Sequence, residues 1–277
     1  MNTLPANACD CHMHVFDPKY PFAPGTRPVP PASVAQYREV QARLGTTRTV
    51  VVAPSSYGLD NRCTLDALKA LGPQARAVVA LSTEVTREEL DGLHAAGVRG
   101  VRINLARGDA TPFDTLGPLA RRIEPLGWHV QLMLTPAQLA LHRAELLELG
   151  VRLVIDHMAR IPQDGGTASP AYSALRRLLD AGNTWVKLSL ASSAQLIGTA
   201  QEDALHAVGR DLVRACADRL LWGSDWPHVL STLEGQPQPS DEQLLALFLE
   251  WATTERDRQS ILVDTPASLY DFPTLSP

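Results

Sequence analysis

The sequence predicts an α/β protein built as one (β/α)8 barrel, a TIM barrel, over residues 1–277. Three observations carry that expectation. Short apolar runs suited to strands buried on both faces alternate with helical patterns eight times. Six successive helical patterns stop at a glycine, the residue that most easily takes the left-handed position after a helix. The units, of about 25–40 residues each, leave little room for a second domain. An open doubly wound sheet also accommodates parallel strands, but eight near-equal units favour closure.

The first strand covers about residues 8–14. A proline-rich loop follows, Pro18 to Pro31, carrying Tyr20, Phe22 and Arg27. It is too long for a connector and is expected to act as an N-terminal lid, 18–31. A helix over 33–44 ends at Gly45, and Thr49-Val-Val-Val-Ala53 is the second strand. Asn61–Leu71 forms a helix closed by Gly72, and Ala77–Leu81 is the third strand. Thr86-Arg-Glu-Glu89 is a capping box that opens a helix ending at Gly97. Val98–Leu105 is the fourth strand, and its helix, 114–126, ends at Gly127. His129–Leu134 is the fifth, with Thr135-Pro-Ala-Gln138 supplying a cap and an N1 proline for a helix that ends at Gly150. Arg152–His157 is the sixth, before a helix from Ser169-Pro170 to Gly182. Thr184–Ser189 is the seventh, with a helix over 201–218. Leu220–Asp225 is the eighth, and the last helices occupy 240–270.

Composition narrows the function. A net charge of −5 with interspersed signs lacks the basic footprint of a nucleic-acid binder. No stretch reaches the roughly 18 apolar residues of a membrane span. The opening residues show neither a basic nor an apolar leader, and four cysteines do not make a disulfide framework, so a cytoplasmic protein is expected. The oligomeric state is not legible.

Active sites of such barrels gather at the C-terminal ends of the strands. Strand alternation selects the inward polar residues there. They are His12 and His14 with Asp10 a pleat deeper, Arg102 and Asn104, Gln131, His157, Lys187 with Ser189, and Asp225. Two imidazoles one pleat apart suit a single metal ion or a polarised carbonyl. A strand histidine such as His157 is also at home as a hydrogen-bonded core residue, Asp225 as a helix cap, and Arg102 with Lys187 as a structural ion pair. Asp156 is placed to orient a neighbour. His94, His129, His142 and His206 read as solvated or structural.

Several phrases carry a resemblance: Asp10-Cys-His-Met-His-Val-Phe16, Gly58-Leu-Asp-Asn-Arg62, Gly97-Val-Arg-Gly-Val-Arg-Ile-Asn104, Gly127-Trp-His129, Asp156-His-Met158 and Leu221-Trp-Gly-Ser-Asp-Trp-Pro-His228. They resemble the amidohydrolase superfamily, in the branch of the 2-pyrone-4,6-dicarboxylate lactonases, sulfomuconolactone hydrolases and galactarolactone isomerase. Binuclear members carry a bridging lysine on strand four and a histidine on strand five, where this chain has Arg102, Asn104 and Gln131. No cofactor is therefore expected, although His12, His14 and Asp225 could hold one divalent ion such as zinc. The pyrone enzyme also places an arginine after strand seven, where this chain reads Leu190-Ala-Ser-Ser-Ala-Gln195.

The resemblance implies a hydrolase that opens a small anionic lactone, without nucleic-acid or membrane partners. Asp225 would activate water, and His12, His14 and His157 would donate to the developing oxyanion. Arg102, Asn104, Ser55, Tyr57, Asn61, Arg107, Gln131, Lys187 and His228 would bind the substrate, with Arg160 within reach. The alternatives are a sugar-acid lactone isomerase, a one-metal hydrolase or decarboxylase, and, least favoured, a barrel that binds without turnover.

Overall fold

Eight parallel strands form one sheet in sequential order, β1 to β8. A computed structural model describes residues 4–106, 112–235 and 240–273. The strands are β1 (Cys9–Met13), β2 (Arg48–Val52), β3 (Ala75–Val79), β4 (Val98–Asn104), β5 (His129–Met133), β6 (Arg152–Ile155), β7 (Thr184–Leu188) and β8 (Leu220–Trp222). Helices α1 (Val34–Leu44), α2 (Arg62–Leu71), α3 (Arg87–Ala96) and α4 (Leu116–Ile123) separate the first five. The fifth helical segment breaks at His142 into α5 (Pro136–Leu141) and α6 (Arg143–Leu147). Helices α7 (Pro170–Asp180) and α8 (Glu202–Cys216) precede β7 and β8, and α9 (Val229–Glu234), α10 (Asp241–Trp251), α11 (Glu255–Gln259) and α12 (Thr265–Leu269) follow β8. No helix among the described residues is long and apolar enough to cross a membrane.

The expected boundaries are reproduced to within a few residues, and so are the stops. Gly45, Gly97 and Gly127 each sit in the left-handed region directly after a helical turn. The capping boxes at Thr86 and Thr135 are formed in full.

Two apolar layers hold the barrel. Cys9, Cys11, Val50, Val52, Val78, Val154 and Leu221 fill its interior, and Leu269, Tyr270 and Phe272 plug the lower end. The alternate strand residues, such as Val51, Val101, Ile103 and Val186, pack outward under the helices. Arg76 donates to the Tyr270 carbonyl and Arg48 to the Pro273 carbonyl, which ties the plug to the strand ends. His129, a residue expected to be solvated or structural, lies fully buried in this lower layer, edge-on to Tyr270.

One expectation about register fails. The β1–β2 pairing shifts between Asp10 and Met13. Such an irregularity moves side chains from one face to the other. Asp10 therefore does not share the face of His12 and His14. It turns to the helical layer, where Tyr37 of α1 donates to its Oδ2 at 3.0 Å.

The seam between the two ends of the sheet is a single parallel bridge, Met13 to Trp226, with further bonds around it. The Asp225 amide donates to the His12 carbonyl at 2.8 Å, and the His14 amide donates to the Trp226 carbonyl at 2.8 Å. Asp10 accepts from both the Ser224 amide (2.9 Å) and the Ser224 hydroxyl (2.6 Å). Gly223 permits the approach, since a Cβ there would stand 2.6 Å from the His12 Cβ and 2.8 Å from its amide nitrogen. Gly223→Ala is accordingly expected to lower stability by about 1–3 kcal/mol, measured by urea unfolding. An unchanged midpoint would show that the seam has slack.

Candidate active site

At the C-terminal end of the barrel lies a small cleft, partly open to solvent. Its lining comes from strands on several sides: His14, Pro54, Ser55, Ser56, Arg102, Asn104, Met133, His157, Asp225 and Val229. Of the residues singled out by alternation, His14, Arg102, Asn104, His157 and Asp225 meet here, and His12 lies directly behind His14 with its Nε2 at 3.3 Å from the His14 Nε2. Both of these nitrogens lie close to Asp225 Oδ1, at 3.6 and 3.7 Å.

His157 reaches the cleft by an unexpected route. Strand β6 stops at Ile155, and His157, Met158, Ala159 and Arg160 all take positive φ between 51° and 57°. A left-handed turn of four non-glycine residues costs about 1–2 kcal/mol per residue. Strain of this kind persists where the surroundings fix it, commonly at functional sites. Here it turns the ring so that Nδ1 meets the Ser189 hydroxyl at 2.7 Å. Asp225 and His228, on either side of the cis Trp226–Pro227 bond, also take positive φ of 60°.

The hydrogen-bond partners orient the imidazoles. His14 Nδ1 stands 2.7 Å from the Val52 carbonyl, an acceptor only, so Nδ1 carries the proton. Burial, with the nearby charge of Arg102, lowers its pKa to about 3, so the ring is neutral and Nε2 is a lone pair. His12 Nε2 must then donate to it, which leaves His12 Nδ1 to accept from the Lys187 ammonium at 3.3 Å. Burial and Lys187 together hold the His12 pKa well below its ordinary value. The result is one directed chain: Lys187 to His12 to His14 to Val52. The one lone pair on His14 Nε2 is taken up by the His12 N–H, and its one proton, on Nδ1, is held by Val52.

Beneath the cleft, Lys187 donates to Gln131 Oε1 at 2.7 Å, and Gln131 Nε2 donates to Asp156 Oδ2 at 3.0 Å. Burial would push the Asp156 carboxyl up, but the His12 ring and the Lys187 ammonium outweigh it and hold it well below the usual carboxylate range. Gln131 and Lys187 are fully buried. They support the site from below, where the sequence placed them against substrate.

Three other expected substrate contacts are committed elsewhere. The Tyr57 hydroxyl bridges the Asp17 amide and carbonyl, and its ring packs on Phe22. The Asn61 side chain clasps the backbone of Ala80 from both its oxygen and its nitrogen. His228 Nε2 pairs with Asp241 Oδ1 at 3.0 Å. None of the three lines the cleft, nor does Arg160. Arg107 lies outside the described residues. Pro54, Ser56 and Val229 line the cleft without having been singled out. Their position just past β2 and β8 is the one signal that marked them.

The donor set also suits a divalent cation. His12, His14 and Asp225 offer ligand atoms within 4.8 Å of one another, as do His12, Asp156 and His157. For the first set, His12 would have to free Nε2 by donating Nδ1–H instead of accepting there. Asp156 Oδ1, buried without a hydrogen-bond partner and 3.4 Å from Nδ1, stands ready to take that proton. The residues therefore fit such an ion.

The amidohydrolase family model matches residues 9–272. The chain is 36% identical to a 2-pyrone-4,6-dicarboxylate hydrolase of Comamonas testosteroni, over 96% of this chain and 91% of that one. It is 30% identical to a D-galactarolactone isomerase of Agrobacterium fabrum (96% and 92%) and 31% identical to a 4-sulfomuconolactone hydrolase of Hydrogenophaga intermedia (96% and 89%). A crystal structure from Pseudomonas putida, described as a putative 2-pyrone-4,6-dicarboxylic acid hydrolase, superposes with a TM-score of 0.82 at 32% identity, covering 98% of this chain and all of that one.

Removing the ammonium from the buried floor should leave the Asp156 charge uncompensated. Lys187→Met is expected to destabilise the fold by about 3–5 kcal/mol in chemical denaturation, and adding Asp156→Asn should recover part of the loss. Additive losses would mean that the two groups do not depend on each other.

Proposed function

The chain belongs to the amidohydrolase family, and from that premise we propose that it is a hydrolase opening a small carboxylated lactone. The observation that supports this most directly is the convergence of Asp225, His157 and Arg102 on one cleft. The relatives named for lactone hydrolysis add weight.

In this reading Asp225 acts as the base. Burial raises its carboxyl pKa, with His157, His228 and Arg102 opposing, which brings it toward the range where a carboxylate accepts a proton effectively. Water gives Asp225 a proton as its oxygen attacks the ring carbonyl carbon. The carbonyl oxygen becomes negative and is met by His157, whose Nε2 carries a proton when the Ser189 hydroxyl donates to Nδ1. The ring C–O bond then breaks, and the leaving oxygen recovers the proton from Asp225, giving the open hydroxy acid. Arg102 holds the carboxylate of the substrate. The loop 18–31 acts as a cover: the Ala23 amide donates to the Ser56 carbonyl and Arg27 donates to the Leu233 carbonyl, so the loop reaches both sides of the mouth.

A divalent ion held by His12, His14 and Asp225 would supply Lewis-acid polarisation of the same carbonyl. The resemblance to the lactonase branch implies no metal requirement, so turnover is expected to survive dialysis against a chelator. Loss of activity that zinc restores would move the polarising role to an ion. The isomerase relative, together with the hydroxyl-binding groups Ser55 and Asn104 in the cleft, favours a second reading in which a substrate hydroxyl replaces water. Product NMR separates the two.

Asp225→Asn is expected to lower kcat on the best lactone by at least about a hundredfold, and His157→Ala by about 10²–10³. Since only ionised Asp225 can accept a proton, kcat/KM should fall as pH drops through a pKa above the ordinary value of about 3.9. His14, with its pKa near 3, does not account for that limb. An acid limb that persists in Asp225→Asn would assign the base elsewhere.

A further inference from the structure

We propose, building on the lactonase reading, that the buried His228–Asp241 pair is a positioning device for the Asp225 base. It holds the turn that presents Asp225 to the cleft, although neither His228 nor Asp241 lines the cleft itself.

The turn needs a restraint at each end. Asp225 and His228 both take a φ of 60°, in the left-handed region that residues other than glycine rarely adopt. The His228 amide donates to the Asp225 carbonyl at 2.8 Å, so a change of conformation at one residue is passed to the other. At the first end the seam supplies the restraint, through the Asp225 amide on the His12 carbonyl and the Ser224 amide on Asp10. At the second end the restraint is a side chain. His228 Nε2 lies 3.0 Å from Asp241 Oδ1, and both residues are buried. A carboxylate accepts only, so Nε2 donates.

Asp241 is fixed in its turn by the helical layer. It is the first residue of α10, directly after the Ser240 cap, and α10 buries Leu244, Phe248 and Trp251. The pair thus ties the catalytic turn to a helix that packs independently of the cleft. A buried histidine–carboxylate pair is costly to desolvate and is a poor source of stability; its best use is to hold one arrangement against others. What it holds here is the residue bonded to the carbonyl of the base. Asp225 Oδ1 stands 3.6 and 3.7 Å from the His12 and His14 Nε2 atoms, and a turn released at His228 lets the carboxylate leave that register. Arg102, which holds the substrate acid in this reading, stands on β4 with its own contacts to Ala53 and Asp156. Binding is therefore separable from the pair, and the reaction step is not.

The test uses the intact protein and the best lactone of a panel of pyrone, muconolactone and sugar-acid lactones, with kcat taken per folded molecule. Asp241→Leu and His228→Phe should each lower kcat at least about tenfold, since small misplacements of a reacting group are costly. KM should stay within about threefold of the unmodified value. The double variant should be no slower than the slower single one, because both changes remove the same contact. Asp241→Asn keeps an oxygen that accepts from Nε2–H and should keep kcat within about threefold. Should His228→Phe fail to fold, Asp241→Leu, which leaves the turn's own residues in place, carries the test. Asp241→Leu turning over at the unmodified rate per folded molecule, whatever its stability, would overturn the inference and leave lactone opening intact. A raised KM with kcat unchanged would overturn it too, returning His228 to substrate binding. If the unmodified protein opens none of the lactones, the lactonase reading falls and this inference falls with it.

Discussion

The site depends on how the barrel is closed. Its first and last strands meet at one parallel bridge, Met13 to Trp226, and hydrogen bonds from Asp225, His14 and Ser224 support it. The Asp225 and His14 bonds run through the backbone of residues that line the cleft, so closing the barrel and shaping the cleft are one geometric problem. Asp10 anchors the outer side of the junction. Burial pushes its pKa up to about 6 even though Ser224, His12 and Tyr37 all donate to it, which shows how dry the junction is. The absence of a Cβ at Gly223 lets the two strands come close enough for His12, His14 and Asp225 to share one small volume.

Under the cleft, charge is organised to fix proton positions. A lysine donates and cannot accept, and a peptide carbonyl accepts and cannot donate. Placing Lys187 at one end and Val52 at the other of a two-histidine chain leaves each ring a single tautomer. Gln131 locks the arrangement by accepting from Lys187 and donating to Asp156. A buried ion pair of this sort is weak as a source of stability. Its effect here is orientation: a neutral, mutually hydrogen-bonded histidine pair beside Asp225, next to His157, whose Nδ1 meets the Ser189 hydroxyl.

Much of this was legible in the sequence because strands impose a period of two. Alternation found His12, His14, Arg102, Asn104, Gln131 and Lys187 as inward residues, and glycine stops found the helix ends. What it could not supply came from places where the period breaks. The shift in β1 sent Asp10 to the outer layer. The end of β6 at Ile155 put His157 in a left-handed turn, where strand parity says nothing about direction. Tyr57 and Asn61 sit in a loop whose hydrogen bonds go to Asp17 and Ala80, partners remote in sequence. Ser56 and Val229 line the cleft from the turns that follow β2 and β8, where position after a strand is the one signal and residue type gives none. Lys187 was seen to face inward, but whether it meets substrate or supports a histidine depends on depth along the strand, and one residue type serves either purpose.

The residues that meet at the seam lie at opposite ends of the chain, His12 and His14 near its start and Asp225 more than two hundred residues later. A nascent polypeptide still emerging from the ribosome therefore has no assembled centre, however well its early units have folded. The proposed catalytic groups come together only when the eighth unit arrives and the ring shuts. On the proposed mechanism, measured activity doubles as a count of completed circles.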